Sequence, residues 1–76
     1  METMGARFGA AVRRLRRSKG WSQEMLAGEA ALNRSYMGEI ERGTVMPSLA
    51  TAAKLAEALD VSLSQLISHC EASTAG

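Results

Sequence analysis

The sequence predicts an all-α fold, one domain of five helices. Three observations predict it. Apolar residues make up 46% of the chain, yet only Phe8, Trp21 and Tyr36 are aromatic, so the apolar content is mainly Ala, Leu, Met, Val and Ile, a mixture that favours helices over strands. Proline appears once, and no run of alternating β-branched residues suggests a sheet. Five segments repeat apolar residues at helical spacing, separated by short joints.

The first helix runs from about Gly5 to Ser18. Phe8, Val12 and Leu15 recur at i, i+4 and i+7 and form one apolar stripe. Arg13, Arg14 and Arg17 point away from that stripe, and Arg16 sits at its edge. Gly20 is suited to a left-handed cap after Lys19. Ser22 caps a second helix, "QEMLAGEA", with Glu24 in its first turn and Leu26, Ala27 and Ala30 facing inward. After the short joint "ALN", Asn33 caps a third helix that ends at Gly43. Two short helices joined by so tight a turn form a helix-turn-helix. Ser48 caps the fourth helix, which reaches Leu59 with Leu49, Ala52, Leu55, Ala56 and Leu59 as its buried side; Asp60 closes it. Ser62 and Gln65 form an S-x-x-Q capping box for the last helix, which continues to about Cys70. The expected ordered core is 5–70, and "EASTAG", residues 71–76, reads as a frayed tail.

Seventy-six residues suffice for one domain with a small core. No apolar stretch approaches a membrane span, and the N-terminus lacks a signal-peptide core, so a cytoplasmic location is expected. The single cysteine, Cys70, agrees with a reducing compartment. Net charge is only +1, but Arg7, Arg13, Arg14, Arg16, Arg17 and Lys19 crowd the first twenty positions against Glu2. A solvated helix face and a contact surface both account for that cluster. His69, beside Cys70 near a fraying end, reads as a surface histidine. With no metal-ligand spacing and no catalytic constellation, neither an enzyme nor a metal or cofactor is expected.

The third helix, "NRSYMGEIERG", carries the functional reading. With Met37 as origin and about 100° per residue, Ile40 falls near 300° and Asn33 near 320°, which sets the buried side. Ser35, Gly38, Glu39 and Arg42 fall between about 100° and 200°, pointing outward, and Arg34 near 60° can swing out from the first turn. Glu41, near 40°, lies on the inward flank and needs a cation if it is buried. Arg16 is the best candidate, the alternative being that both reach solvent. Gly38 costs helix stability, roughly 1 kcal/mol relative to alanine. It either lets the backbone approach another surface closely, packs against a neighbouring helix, or is simply tolerated. A helix with a small, polar outer face fits the major groove of B-DNA.

With "WSQEMLA", "SYMGEIERG", "PSL" and "LAEALDVS" in order, residues 7 to 67 resemble the phage-repressor and Cro-like (XRE) helix-turn-helix family. Its short form resembles the controller proteins of restriction–modification systems. The resemblance implies a lambda-repressor-like five-helix domain that binds operator DNA as a homodimer, with its third helix in the major groove. It implies that Gln23 contacts phosphate and braces a base-reading side chain, and that Arg34, Ser35 and Glu39 read bases. Arg42 and Thr44 would contact phosphates, and Asn33 and Gly38 belong to the same DNA-binding set. Arg16 and Glu41 match the family's internal ion pair, and Trp21, Leu26, Met37 and Ile40 match core positions.

Three features depart from the pattern. Ala31 stands where glycine is usual, so either a left-handed conformation costs about 1 kcal/mol there or the turn shifts. The loop "TVM" lacks basic residues, and Gly38 has no side chain with which to read a base. Leu63, Leu66, Ile67 and Cys70 are more apolar than one small core needs; part of the set, chiefly Ile67 with Leu63, is expected to form a two-fold interface unless all dock internally. Together these readings predict a sequence-specific DNA-binding transcriptional regulator, double-stranded DNA and a second copy being its partners, with no small-molecule ligand. An antitoxin or other protein-interaction module using the same fold is the alternative.

Overall fold

The computed structural model describes residues 2–72; residues 73–76, the end of the expected tail, lie outside them. Five helices follow one another: α1 Met4–Ser18, α2 Gln23–Glu29, α3 Arg34–Arg42, α4 Leu49–Ala58 and α5 Leu63–Ala72. Glu71 and Ala72, expected in the tail, continue α5.

Each start is made by local chemistry. The Thr3 hydroxyl accepts from the Ala6 N–H, Ser22 from Met25, and Ser48 from Thr51, each satisfying an otherwise orphaned helix donor. At α5 the capping box is reciprocal: the Ser62 N–H donates to Gln65 Oε1 at 2.8 Å, and the Gln65 N–H donates to Ser62 Oγ at 3.0 Å. Gly20 takes its cap at φ 75°. Ala31 and Asp60 adopt left-handed backbone at φ 56° and 62°, so the turn between α2 and α3 keeps its shape without the usual glycine. Ala31 bears the steric strain of its Cβ instead.

α1 lies against α3 and α5, α2 against α3 and α4, and α4 against α5. Their shared core is Phe8, Ala11 and Val12 of α1, Leu26 and Ala27 of α2 with Ala30 after it, Met37 and Ile40 of α3, Ala52, Leu55 and Ala56 of α4 with Leu59 after it, and Leu66 and Cys70 of α5. Trp21 is only partly buried at the rim, with Lys19 Nζ 4.9 Å from its ring centroid.

Two apolar expectations are corrected here. Leu49 is 72% exposed: it is the first residue of α4, and the buried stripe begins one turn later, at Ala52. Leu66 and Cys70 are sealed in the core at 0% and 1% exposure, with the Cys70 thiol donating to the Leu66 carbonyl at 3.4 Å. One turn apart on α5, they form the stripe that docks internally. In the single chain these two side chains are spent on the core, which leaves almost no surface to offer a second copy. Leu63 and Ile67 are partly exposed beside that stripe.

Candidate nucleic-acid interface

α3 is fixed at both ends and along its inner side. At its start, Asn33 Oδ1 accepts from the N–H groups of Ser35 at 2.8 Å and Tyr36 at 3.2 Å, so the oxygen of this residue is spent on the cap. At its end Gly43 takes φ 79°, a conformation glycine reaches without a Cβ penalty. Met37 and Ile40 are fully buried.

The crossing with α1 is unusually close. A Cβ at Gly9 would stand 2.3 Å from the Ile40 carbonyl oxygen and 2.8 Å from that of Glu41. Only glycine allows this approach, because the atoms in the way are backbone. Sequence reasoning missed Gly9. Its signal was available: Gly5, Gly9 and Ala6 place small residues on the side of α1 next to Phe8 and Val12.

The close crossing puts the Glu41 carboxylate, with a fully buried side chain, beside α1. Arg16 answers it as expected: its Nε donates to Oε2 at 2.7 Å and its Nη2 to Oε1 at 3.0 Å, a bidentate fork. The remaining Nη1 of Arg16 donates to the Trp21 carbonyl at 2.7 Å. Gln23 Nε2 donates to Glu41 Oε1 at 2.9 Å, so the first residue of α2 is tied to α3 through the same carboxylate. Arg13, expected to point away from the domain, instead turns in. Its Nε lies 3.5 Å from Glu41 Oε1 and its Nη2 donates to the Glu41 carbonyl at 3.3 Å. Its position three residues before Arg16, on the same side of the helix, was the available signal.

Burial works to raise the pKa of Glu41, but hydrogen bonds from Arg16 and Gln23 and the charges of Arg16 and Arg13 outweigh it. The carboxyl is held below its ordinary range. The same hydrogen bond raises Arg16 against its own desolvation. Both groups are therefore charged at neutral pH.

The outer side of α3 presents Arg34, Ser35, Glu39 and Arg42, all exposed, with exposed Thr44 following. Thr44 Oγ1 donates to the Glu39 carbonyl at 3.1 Å, so its hydroxyl stays at the helix end. Gly38 faces the same way but is not bare: it is buried, and the nearest groups over it are the guanidinium ends of Arg42 and Arg34. The structure thus brings Arg34, Ser35, Glu39, Arg42 and Thr44 together on one exposed side. Gln23 and Asn33 border it with their polar atoms at least partly engaged in the fold. Among the described residues, no group of three or more His, Cys, Asp or Glu side chains could hold a metal.

Residues 12–66 match the family model described as Helix-turn-helix. The chain belongs to the helix-turn-helix family. Within that family it is 44% identical over 70 residues to the control protein C.BamHI of Bacillus amyloliquefaciens, covering 84% of this chain and 86% of that one. It is 32% identical over 74 residues to the HTH-type transcriptional regulator SutR of Escherichia coli (strain K12), covering 97% of this chain but spanning only 42% of that regulator's length. The solved restriction–modification controller protein C.AhdI from Aeromonas hydrophila superposes with a TM-score of 0.78 at 47% identity, over 82% of this chain and 94% of that one. These helix-turn-helix relatives are transcription regulators, not enzymes. The likeness to controller proteins expected from the sequence is therefore found.

Proposed function

We propose that this helix-turn-helix chain is a cytoplasmic transcriptional regulator that binds a specific operator in double-stranded DNA. In this reading α3 lies in the major groove, Arg34 takes a guanine edge, Ser35 and Glu39 read neighbouring bases, and Glu39 accepts from cytosine N4. Arg42 and Thr44 hold phosphates and set the register. Gln23 and Asn33 contribute at the entrance of the groove through whatever hydrogen-bonding capacity the Glu41 bond and the helix cap leave them.

One observation carries the reading. The inner side of α3 is locked by a buried ion pair, while its outer side presents two arginines that form no ion pair among the described residues; both ion pairs there go to Glu41. Charged side chains on a rigid, exposed helix are what base readout requires, since mobile groups would lose the gain in ordering entropy. The family supports the same reading.

One domain of this size reads a half-site, so the regulator acts as a homodimer on a palindromic operator. Ile67 with Leu63 supplies the two-fold contact, for both are apolar residues of α5 left partly exposed. The net charge of +1 predicts weak non-specific binding and a shallow salt dependence.

Selection of binding sites from random double-stranded DNA tests the proposal. Enrichment of a palindrome supports the dimeric regulator, and enrichment of a single unpaired half-site removes the dimer. No enriched sequence overturns the reading and leaves the protein-interaction module in its place.

A further inference from the structure

Arg34, Gly38 and Arg42 occupy every fourth position of α3 and form one row along its exposed side. A helical side chain leans toward the N-terminus and covers the turn before its own Cα, so Arg42 overlies position 38. By the same rule Arg34 should lean away, yet its guanidinium turns back to the same place. A Cβ at Gly38 would stand 3.0 Å from Nη1 of Arg42 and 3.5 Å from Nη1 of Arg34. Both neighbours are the ends of flexible side chains. Gly38 differs in this from Gly9, where backbone oxygen closes the space. Two like charges thus converge on one point over bare backbone, with neither drawn off by a carboxylate among the described residues.

We propose that Gly38 is a specificity-determining position that couples Arg34 to Arg42. Without a side chain between them, the two guanidinium groups form one cationic clamp: Arg34 takes a guanine edge and Arg42 the phosphate beside it. Their mutual repulsion is relieved only when electron-rich DNA atoms sit between or beside them, so each arginine binds better when the other is present. A methyl group at position 38 wedges the pair apart while leaving the helix intact, since alanine is the better helix former. The proposal rests on the DNA-reading role of α3, and it replaces a passive glycine that merely lets DNA come near with one whose space the protein's own arginines fill.

The test uses the site enriched by the wild-type protein. Affinity is measured for Arg34→Ala, Arg42→Ala and the double variant, in the wild-type and Gly38→Ala backgrounds, alongside thermal unfolding. The expected result is that Gly38→Ala keeps or raises the thermal midpoint and binds its site about tenfold more weakly. Binding to unrelated DNA falls less than binding to the site, and the two arginine substitutions, coupled in the wild type, become additive. Wild-type affinity with the coupling intact in Gly38→Ala overturns the proposal and leaves DNA reading by α3 standing. Equal weakening on every sequence, or a lowered midpoint that accounts for the loss, overturns it as well. A wild-type protein that enriches no site ends both readings together.

Discussion

A single guanidinium, that of Arg16, grips both carboxylate oxygens of Glu41, at 2.7 and 3.0 Å, across the α1–α3 crossing. The Glu41 side chain is fully buried and that of Arg16 only 11% exposed. Removing one member of such a pair leaves a charge stranded away from water, which costs more than the pair contributes to stability. Glu41→Ala is expected to destabilise the fold by about 3–5 kcal/mol, a large share of what so small a domain holds. Urea unfolding of Glu41→Ala, Arg16→Ala and the double variant checks this. The double variant should lose less than the two single losses combined, and simple additivity would dissolve the pair.

Arg13 adds a second, weaker cation to the same carboxylate. Its side chain is 41% exposed, so water screens it, and Arg13→Ala should cost well under the Arg16 substitution.

Acid should loosen this crossing. Because the folded pKa of Glu41 is depressed below its ordinary 4.5, its contribution is fully present above that value and is lost as pH falls through the lower folded pKa. Stability measured from neutral pH downward should decline below about 4.5 more steeply in the wild type than in Glu41→Gln, which has no proton to bind there. Parallel curves would mean that the carboxyl titrates alike in folded and unfolded chains.

Gly9→Ala separates packing from helix propensity. Propensity alone predicts a gain of roughly 1 kcal/mol, but the new methyl would meet the Ile40 carbonyl at 2.3 Å and force the helices apart. The expected net loss is about 1–3 kcal/mol, together with weaker DNA binding because α3 moves. At Gly28 nothing lies within 4 Å of an added Cβ, and Gly28→Ala should instead stabilise by about 0.4–1 kcal/mol. Thermal melts of the two variants should shift in opposite directions.

Ala31 holds a left-handed backbone at φ 56°, which glycine would adopt without strain. Ala31→Gly should therefore raise stability by about 1 kcal/mol, less whatever glycine adds to the entropy of the unfolded chain. A net gain of about 1 kcal/mol would move the midpoint of a domain this small by about 4–8 °C, whereas a loss equal to the full entropic cost of glycine, about 0.4–1 kcal/mol, would show the turn to be unstrained.

At the DNA surface, Arg34→Ala should cost about 1–3 kcal/mol on the selected operator and relax one position of the site. Binding measured across single-base variants distinguishes this from uniform weakening, which would make Arg34 a phosphate contact only.

Apart from the Thr3 cap of α1 and the last residues of α5, helix number, order and ends were legible in the sequence, since caps are closed by residues two to three positions apart. Asn33, Ser48 and the Ser62–Gln65 box show this, as does Gly43 at the end of α3. The Arg16–Glu41 pair was legible too, because two wheel positions each lacked a solvated direction.

A helix wheel fails where a second helix, or the conformation of a long side chain, decides. The wheel gave Gly38 an outward angle correctly but could not show that Arg34 and Arg42 fold over it. Leu49 was placed on the buried side of α4, yet it is exposed and the buried stripe begins a turn later; Leu66 was counted among the surplus apolar residues of α5, yet it is fully buried. Arg13 was placed with its solvated neighbours because the wheel does not contain α3. By itself, then, the sequence determined the five helices, the turn chemistry and the inward carboxylate, all set by interactions along a few residues of chain. Only the tertiary structure decided which cations reach Glu41, which apolar residues of α5 remain exposed, and what covers Gly38. The first depends on how closely α1 and α3 cross, a distance set by the missing Cβ of Gly9; the second depends on how α1 and α4 lie against α5, and the third on the conformations of two long side chains of α3.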